Sequence, residues 1–301
     1  MNIRYVPYRA IDKQKWDKCL CASPNGLIYG RTFYLDTMTG RRWDALVLDD
    51  YEAVMPLPWN RKWGIHYLYQ PYFTPALGIF QKNKNTCEAF LQAIPKKFRY
   101  WDIDLNEANC PDSSNQATIR TNYILPLNRP YDDLNSDYKR LARRMCRKAL
   151  EDGLLITRQV SPAEVIGLYR KEYGNRHRIN DVHYDRLTKC ADKAIKTGNA
   201  KTYFARWPNG EIAAFYLVFS DDRFVYSVLG GSTKRGKETG AFYLLTDAAL
   251  QDHAGTERVF RFEGSDIEGI AFFDAQFGAV RTAYPHLVLN NLPDLFKWLK
   301  H

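Results

Sequence analysis

The sequence lacks the cysteine patterns that bind zinc or form a redox pair. Its six cysteines include no Cys-x-x-Cys motif, and neither they nor the six histidines fall at the spacing of a metal site. Isolated cysteines of this kind indicate reduced thiols, which are typical of the cytoplasm. We therefore expect a cytoplasmic protein that uses no metal.

Long hydrophobic runs are also missing. No stretch approaches the roughly 20 apolar residues that a membrane-spanning helix needs. The first residues are charged and mixed, without the apolar segment of a signal peptide. The expectation is a protein without integral membrane association.

The composition supplies a large core and an excess of positive charge. The chain has 301 residues, of which 45% are hydrophobic and 14% aromatic, enough for two domains of ordinary size. Its formal net charge is +9, which favours anionic partners such as phosphorylated cofactors, nucleotide-linked precursors, tRNA or an anionic membrane surface. An ordinary basic protein is the alternative.

Hydrophobic periodicity and turn residues predict similar element orders in the two halves. In the first half we predict strands at 45–48, 53–58, 100–105 and 121–127, and a helix at 86–98. In the second half we predict helices at 132–152, 163–175, 183–197, 241–253 and 267–276, and strands at 154–160, 201–207, 212–219, 224–229, 258–262 and 284–289. A mostly antiparallel sheet with flanking helices is therefore expected twice.

One stretch carries a recognisable signature. Residues 257–284 read ERVFRFEGSDIEGIAFFDAQFGAVRTAY, a strand followed by Glu-Gly-Ser, a helix and Phe-Gly-Ala. This resembles the C-terminal signature of the Fem-type (FemABX-like) aminoacyl- and acyltransferases, a branch of the GNAT superfamily of N-acyltransferases. The resemblance implies an α+β fold of two tandem GNAT-like units, each a mixed, mostly antiparallel sheet flanked by helices. We place a degenerate first unit at 1–128 and a second unit, with a linker helix and the donor site, at 129–301.

The segment Ser232 to Ala241 lies between a predicted strand and a predicted helix. In GNAT enzymes the equivalent loop cradles the pyrophosphate of acyl-CoA, and free N–H groups at a helix start attract phosphate. Candidate donor-binding residues here are Ser232, Lys234, Arg235, Gly236, Lys237 and Gly240. The glycines would let the backbone approach the ligand. A plain exposed connector has the same composition.

The predicted helix at 132–152 is strongly basic. Residues 138–149 match the Fem-like Arg-x-x-Ile-x-Lys-Ala helix, and an apolar stripe leaves the basic residues on other faces. Arg143 and Arg147 are candidates to hold donor phosphates. The alternative is a solvated helix face.

Two carboxylates in the signature are candidate catalytic residues. Glu263 follows a buried strand and would act as a general base, or else cap the next helix through Ser265 and Asp266. Asp274 stands where Fem-type transferases commonly have Lys and many GNAT enzymes have Tyr. A carboxylate accepts rather than donates unless its pKa is raised.

Aromatic residues are the candidates for the substrate cleft. Tyr69 and Tyr72 lie in a segment that resembles the acceptor-holding motif of peptidoglycan-linked Fem proteins, although packing explains them equally well. Phe273, Ser265 and Tyr284 from the signature complete the candidate set.

Three functions follow from these patterns. The first is an N-acyltransferase that moves an acyl or aminoacyl group from acyl-CoA or aminoacyl-tRNA to an amine of a bacterial cell-wall or peptide acceptor. Backbone N–H groups near Ser227 to Gly230 would stabilise the oxyanion, and no metal is required. The second is a GNAT-fold ligand-binding module without activity. The third, an RNA-binding protein, rests on charge alone.

Overall fold

The computed structural model describes residues 2–82, 86–111, 117–177 and 179–292, with side chains omitted at 175–177. Its strands are β1 (Ile3–Val6), β2 (Trp43–Leu48), β3 (Ala53–Lys62), β4 (Ile65–Tyr69), β5 (Phe80–Gln81), β6 (Phe98–Asp104), β7 (Ala117–Pro126), β8 (Leu155–Arg158), β9 (Ala200–Arg206), β10 (Ile212–Ser220), β11 (Phe224–Ser232), β12 (Val259–Arg261) and β13 (Val280–Asn290). Its α-helices are α1 (Lys13–Ala22), α2 (Thr32–Thr39), α3 (Cys87–Gln92), α4 (Tyr131–Ser136), α5 (Arg140–Glu151), α6 (Pro162–His177), α7 (Asp181–Lys196), α8 (Lys234–Thr239), α9 (Ala241–Gln251) and α10 (Glu268–Asp274).

The chain divides into two compact units. One comprises Met1–Arg120 and the segment that starts at Ala283, and the other comprises Thr121–Thr282. The boundary predicted from the sequence is a single one, at 128/129. In the structure, the contacts between residues divide the chain twice, within β7 and within β13. The second boundary arises because β13 pairs with β6 of the first unit from His286 to Asn290. Residues 293–301, which the sequence division assigns to the second unit, lie outside the described part.

Each unit contains a mixed, mostly antiparallel series of strands. In the first unit β1, β2, β3 and β4 pair antiparallel in order, β4 pairs parallel with β6, and β6 pairs antiparallel with β13. In the second unit β8, β9, β10 and β11 pair antiparallel in order, β11 pairs parallel with β12, and β12 pairs antiparallel with β7. The predicted α+β class, with a mixed, mostly antiparallel arrangement of strands in each of two units, is confirmed.

A separate apolar core stabilises each unit. In the second unit α5 and α9 cover the sheet and bury Ala142, Ala149, Leu245 and Ala249 against strand residues such as Tyr216. In the first unit α3 places Phe90 and Leu91 over Leu46, Ile103 and Leu287. Burial of such side chains contributes about 1.5–3 kcal/mol each and supplies most of the stability.

Three predicted elements differ by more than a few residues at their ends. The helix predicted at 86–98 is only α3, since Pro95 cannot continue a helix and β6 begins at Phe98. The helix predicted at 132–152 is two helices, α4 and α5, because the backbone N–H of Lys139 donates to the carbonyl of Gln276 (2.8 Å). The connector predicted at 232–241 contains a helical turn, α8, capped by the Thr233 side chain, which accepts from Gly236 N.

Candidate functional site

The second unit buries a polar cluster where β12 ends and α10 begins. β12 stops at Arg261, and Glu263 and Gly264 both adopt the left-handed conformation, with φ of 60° and 73°. Two successive left-handed residues turn the chain sharply. This turn places Ser265 beside Asp274, the last residue of α10.

The Glu263 carboxylate is fully engaged inside this cluster. Its Oε1 accepts from Arg261 Nε at 2.9 Å, and its Oε2 accepts from Asn122 Nδ2 at 3.0 Å. The Asn122 Oδ1 in turn accepts from the Glu263 backbone N–H at 3.0 Å. Arg261 and Glu263 expose only 4% and 5% of their side chains. The residue therefore organises the turn through an ion pair.

Asp274 is a buried acid with a displaced pKa. The residue is 2% exposed, and its Oδ2 accepts from Ser265 Oγ at 2.8 Å. Burial is the main cause that raises the pKa of Asp274 to about 8; the hydrogen bond from Ser265 lowers it, and the negative charge of Glu263 raises it. At neutral pH the carboxyl group is therefore mostly protonated and able to donate.

Aromatic rings enclose the helix end that carries Asp274. Phe273 stacks on Phe242 with ring centroids 5.3 Å apart and lies 4.6 Å from Tyr243. Phe277 packs against the same Tyr243 ring at 5.8 Å. Phe273, a predicted cleft residue, is thus partly buried in core packing.

β11 is irregular beside this cluster. Its register with β10 shifts by one residue, so that Leu229 faces Leu217 but Ser227 faces Val218, and Val228 is the extra residue of a β-bulge. On its other edge β11 pairs with β12 only over Phe224–Tyr226. Bulges commonly occur next to active sites, where they release a backbone group from the ladder. The predicted oxyanion region, Ser227 to Gly230, coincides with this bulge.

Tyr216 connects the bulge to the acid. Burial is the main cause that raises the pKa of Tyr216; hydrogen bonds with Ser227 and Thr246 lower it, and the nearby Asp274 raises it. Tyr216, Ser227 and Asp274 thus belong to one set of interacting polar groups.

The glycines at 232–241 make close contacts with protein rather than leaving open space. A Cβ on Gly236 would lie 1.9 Å from the carbonyl oxygen of Ala213, and one on Gly240 would lie 2.7 Å from that of Met145. Gly240 also has a φ of 79°. These positions require glycine for the packing of α8 on β10 and α5.

The charged residues of this segment differ in availability. Arg235 donates to Glu211 Oε2 at 2.7 Å and stacks 3.9 Å above the Trp207 ring. Lys237 lies 5.2 Å from the Tyr173 ring centroid, and the Tyr173 hydroxyl contacts the Ser232 N–H at 3.2 Å. Lys234 is exposed.

The basic helix adjoins this segment. Lys148 of α5 donates to the carbonyl of Glu238 at 2.7 Å, so the structure brings α5 and α8 together. Arg143 and Arg147 are both exposed, and Arg143 donates to the carbonyl of Ser136 at 3.2 Å.

The remaining predicted residues belong to the first unit. Tyr69 is partly buried with its ring 6.2 Å from that of Tyr67, Tyr72 is 46% exposed, and Tyr284 is buried. The same unit contains a polar cluster that sequence analysis missed: Asp104 lies 2.9 Å from both His286 Nδ1 and Arg120 Nη1. Burial, opposed by Arg120 and His286, raises the pKa of Asp104.

Two further absences concern only the described residues. Within those ranges no group of three or more His, Cys, Asp or Glu residues is arranged to hold a metal ion. Among the helices that the structure describes, none is long and apolar enough to cross a membrane.

Solved structures share this fold over nearly the whole chain. FemX aligns over 100% of both chains with a TM-score of 0.68 and 14% sequence identity. The fold is that of FemX. L-PGS from Bacillus licheniformis matches with a TM-score of 0.54 and 12% identity, over 96% of this chain and 94% of that one. The tandem GNAT protein from the clavulanic acid biosynthesis pathway matches with a TM-score of 0.52 and 11% identity, over 97% of this chain and 100% of that one. No protein-family model and no curated protein sequence matches the chain.

Proposed function

We propose that the protein is an N-acyltransferase that moves an acyl or aminoacyl group from an activated donor to an amine. The observation that carries this proposal is the β-bulge at Val228 beside the buried acid Asp274, within a tandem GNAT fold. Transfer to an amine needs a donor for the oxyanion and a group that handles one proton.

The bulge would supply the oxyanion donor. Val228 lies outside the regular register of β10 and β11, and its backbone N–H would donate to the carbonyl oxygen that becomes negative as the amine attacks. A fixed N–H group requires no reorganisation during the reaction. Mutational loss of one such donor in other enzymes costs about 100-fold or more in rate.

Asp274 would accept and donate the proton through Ser265. The attacking amine loses a proton and the leaving oxygen or sulfur gains one. A group with a pKa near neutrality serves both steps. Asp274 is buried, so a proton would pass between its carboxyl group and the reacting atoms through the Ser265 hydroxyl. The Ser265 Oγ lies 2.8 Å from Asp274 Oδ2.

The donor would carry phosphate, as acyl-CoA and aminoacyl-tRNA both do. Exposed Lys234 and Lys237, together with Arg143 and Arg147 on the adjoining α5, form a basic surface that attracts it. Arg235 is paired with Glu211 and contributes less. Ser232, Gly236 and Gly240 shape the backbone there.

The acceptor would be an amine linked to a bacterial cell wall or peptide, as the resemblance of residues 257–284 to the Fem-type signature implies. Tyr69, Tyr72 and Tyr284 remain the candidate residues for its contacts. A cytoplasmic location suits both donors.

A second candidate function is a ligand-binding module without activity. One observation favours it: Glu263, Ser265 and Asp274 are all buried and bonded to one another or to Asn122, as a purely structural network would be.

Donor binding separates the possibilities. Titration calorimetry with CoA, acetyl-CoA and aminoacyl-tRNA should show one class that binds in the micromolar range, weakened by salt. Product detection by mass spectrometry with a panel of amine acceptors then tests transfer. Tight donor binding without any product would favour the module, and binding of no donor would remove the proposal.

A further inference from the structure

We propose that the first unit has a binding site for a primary ammonium on a short apolar chain, in a groove formed by α3, β6 and β13. The groove has a volume of about 190 Å³. We call it the amine groove and define it by Glu88, Leu91, Gln92, Trp101, Leu287 and Leu289. None of these residues belongs to the polar cluster of the second unit, so the proposal is independent of transfer activity.

Strand pairing builds the apolar floor. Trp101 of β6 and Leu289 of β13 are direct partners in the antiparallel pair, and Leu287 lies opposite Ile103. The indole N–H of Trp101 donates to the carbonyl of Phe98 at 2.8 Å, which fixes the ring. A fixed aromatic ring and two leucines favour an apolar chain over a hydrated ion.

One face of α3 forms the wall. Glu88, Leu91 and Gln92 are spaced i, i+3 and i+4, so their side chains share that face. Gln92 Nε2 donates to Glu88 Oε1 at 3.1 Å and holds the carboxylate in place.

The second carboxylate oxygen indicates the chemistry of the ligand. Glu88 Oε2 is shielded from solvent and has no hydrogen-bond partner within the described ranges. A buried acceptor without a donor is unfavourable, and a carboxylate prefers a charged donor. A primary ammonium supplies three N–H donors and the matching charge, while its chain lies on Trp101 and Leu289. The volume is below that of pockets for drug-sized ligands, which fits a small amine.

Calorimetry on the intact chain tests the site with n-hexylammonium and, as the neutral match, 1-hexanol. We expect the ammonium to bind at least about tenfold more tightly than the alcohol, because a charge-assisted hydrogen bond is lost with the latter. Glu88→Gln should remove this preference, whereas Glu52→Gln, an exposed carboxylate of the same unit, should leave it unchanged. Leu289→Trp should fill the groove and weaken both ligands.

Three results would overturn the proposal. They are no binding of the ammonium up to millimolar concentration, equal affinity for the two ligands, and an unchanged preference in Glu88→Gln. Thermal unfolding of each variant confirms that it is folded, and since both glutamate changes are isosteric, neither should alter the melting temperature by more than a few degrees.

Discussion

At the scale of single residues, the protonation of Asp274 links stability to pH. Its folded-state pKa of about 8 is above the ordinary value of 3.8, so the folded protein binds more protons than the unfolded chain between these values. The contribution of Asp274 is fully present below about pH 4 and is lost as the pH rises through about 8.

Asp274→Asn should therefore flatten the fall of stability between pH 4 and 8. Asparagine has nearly the same shape and does not ionise. One group contributes at most about 1.4 kcal/mol per pH unit in this window. Urea unfolding at several pH values measures the slope for native protein and variant, and parallel curves would show that Asp274 does not titrate in this range.

The Arg261–Glu263 pair should behave as a buried salt bridge. Arg261→Met leaves a buried carboxylate without its cation, and we expect a loss of about 3–5 kcal/mol in the free energy of unfolding. The double variant Arg261→Met with Glu263→Gln should regain part of it, because the remaining charge is removed. Denaturant unfolding gives both values. A loss below about 1 kcal/mol for the single variant would show that the pair is solvated.

The sequence identified Glu263, Ser265 and Asp274 as neighbours in a signature but not their arrangement. Neither Asn122 nor Arg261 was predicted as part of the site. Asn122 is 141 residues from Glu263, and no local pattern joins these two residues. The pKa of Asp274 depends mainly on its burial, which the sequence does not show. The sequence contains a weaker indication of the bulge at Val228, because Gly230 and Gly231 stand at the end of an otherwise apolar strand.

At the scale of secondary structure elements, α8 depends on glycine packing. Gly236→Ala should destabilise the protein by about 2 kcal/mol or more, because the new methyl group would lie 1.9 Å from a backbone oxygen of β10. Gly167→Ala in α6, where no atom lies within 4 Å of the added Cβ, should be neutral or stabilising by up to about 1 kcal/mol. Equal melting temperatures for the two variants would contradict this packing.

The basic face of α5 should contribute to donor binding rather than to folding. Arg143→Glu with Arg147→Glu leaves the buried face of α5 intact, so unfolding should change by only about 0.5 kcal/mol per site. Donor affinity should fall by about tenfold or more and lose part of its salt dependence. Lys189→Glu with Lys196→Glu on α7 makes the same change in net charge and is the control. Equal donor affinities of the two double variants would show that the basic face of α5 is only a solvated helix face.

The bounds of α6, α7, β9 and β10 were predicted to within two residues. The errors arose where tertiary contacts determine the secondary structure. The break between α4 and α5 follows from the Lys139–Gln276 hydrogen bond, and the helical turn of α8 follows from contact with Ala213. Sequence analysis assigned nothing before residue 45, where the structure has β1, α1 and α2.

At the scale of the whole molecule, two units with the same kind of strand order repeat one design. Each contains one parallel pair, β4 with β6 and β11 with β12, among antiparallel neighbours. In the second unit the bulge at Val228 and the buried acid Asp274 are linked through Tyr216, and this combination is the proposed place of chemistry. Fold alone does not establish activity, so the proposed transferase depends on this site.

The most direct measurement is the rate of acyl or aminoacyl transfer by native protein, Asp274→Asn and Glu268→Gln, each saturated with the donor found by calorimetry. Glu268 is an exposed carboxylate on the same helix and serves as the control. We predict transfer by the native protein, a loss of about 100-fold or more in Asp274→Asn with donor affinity unchanged, and no effect of Glu268→Gln. A native rate retained in Asp274→Asn, or no transfer by the native protein from any donor, would contradict the account.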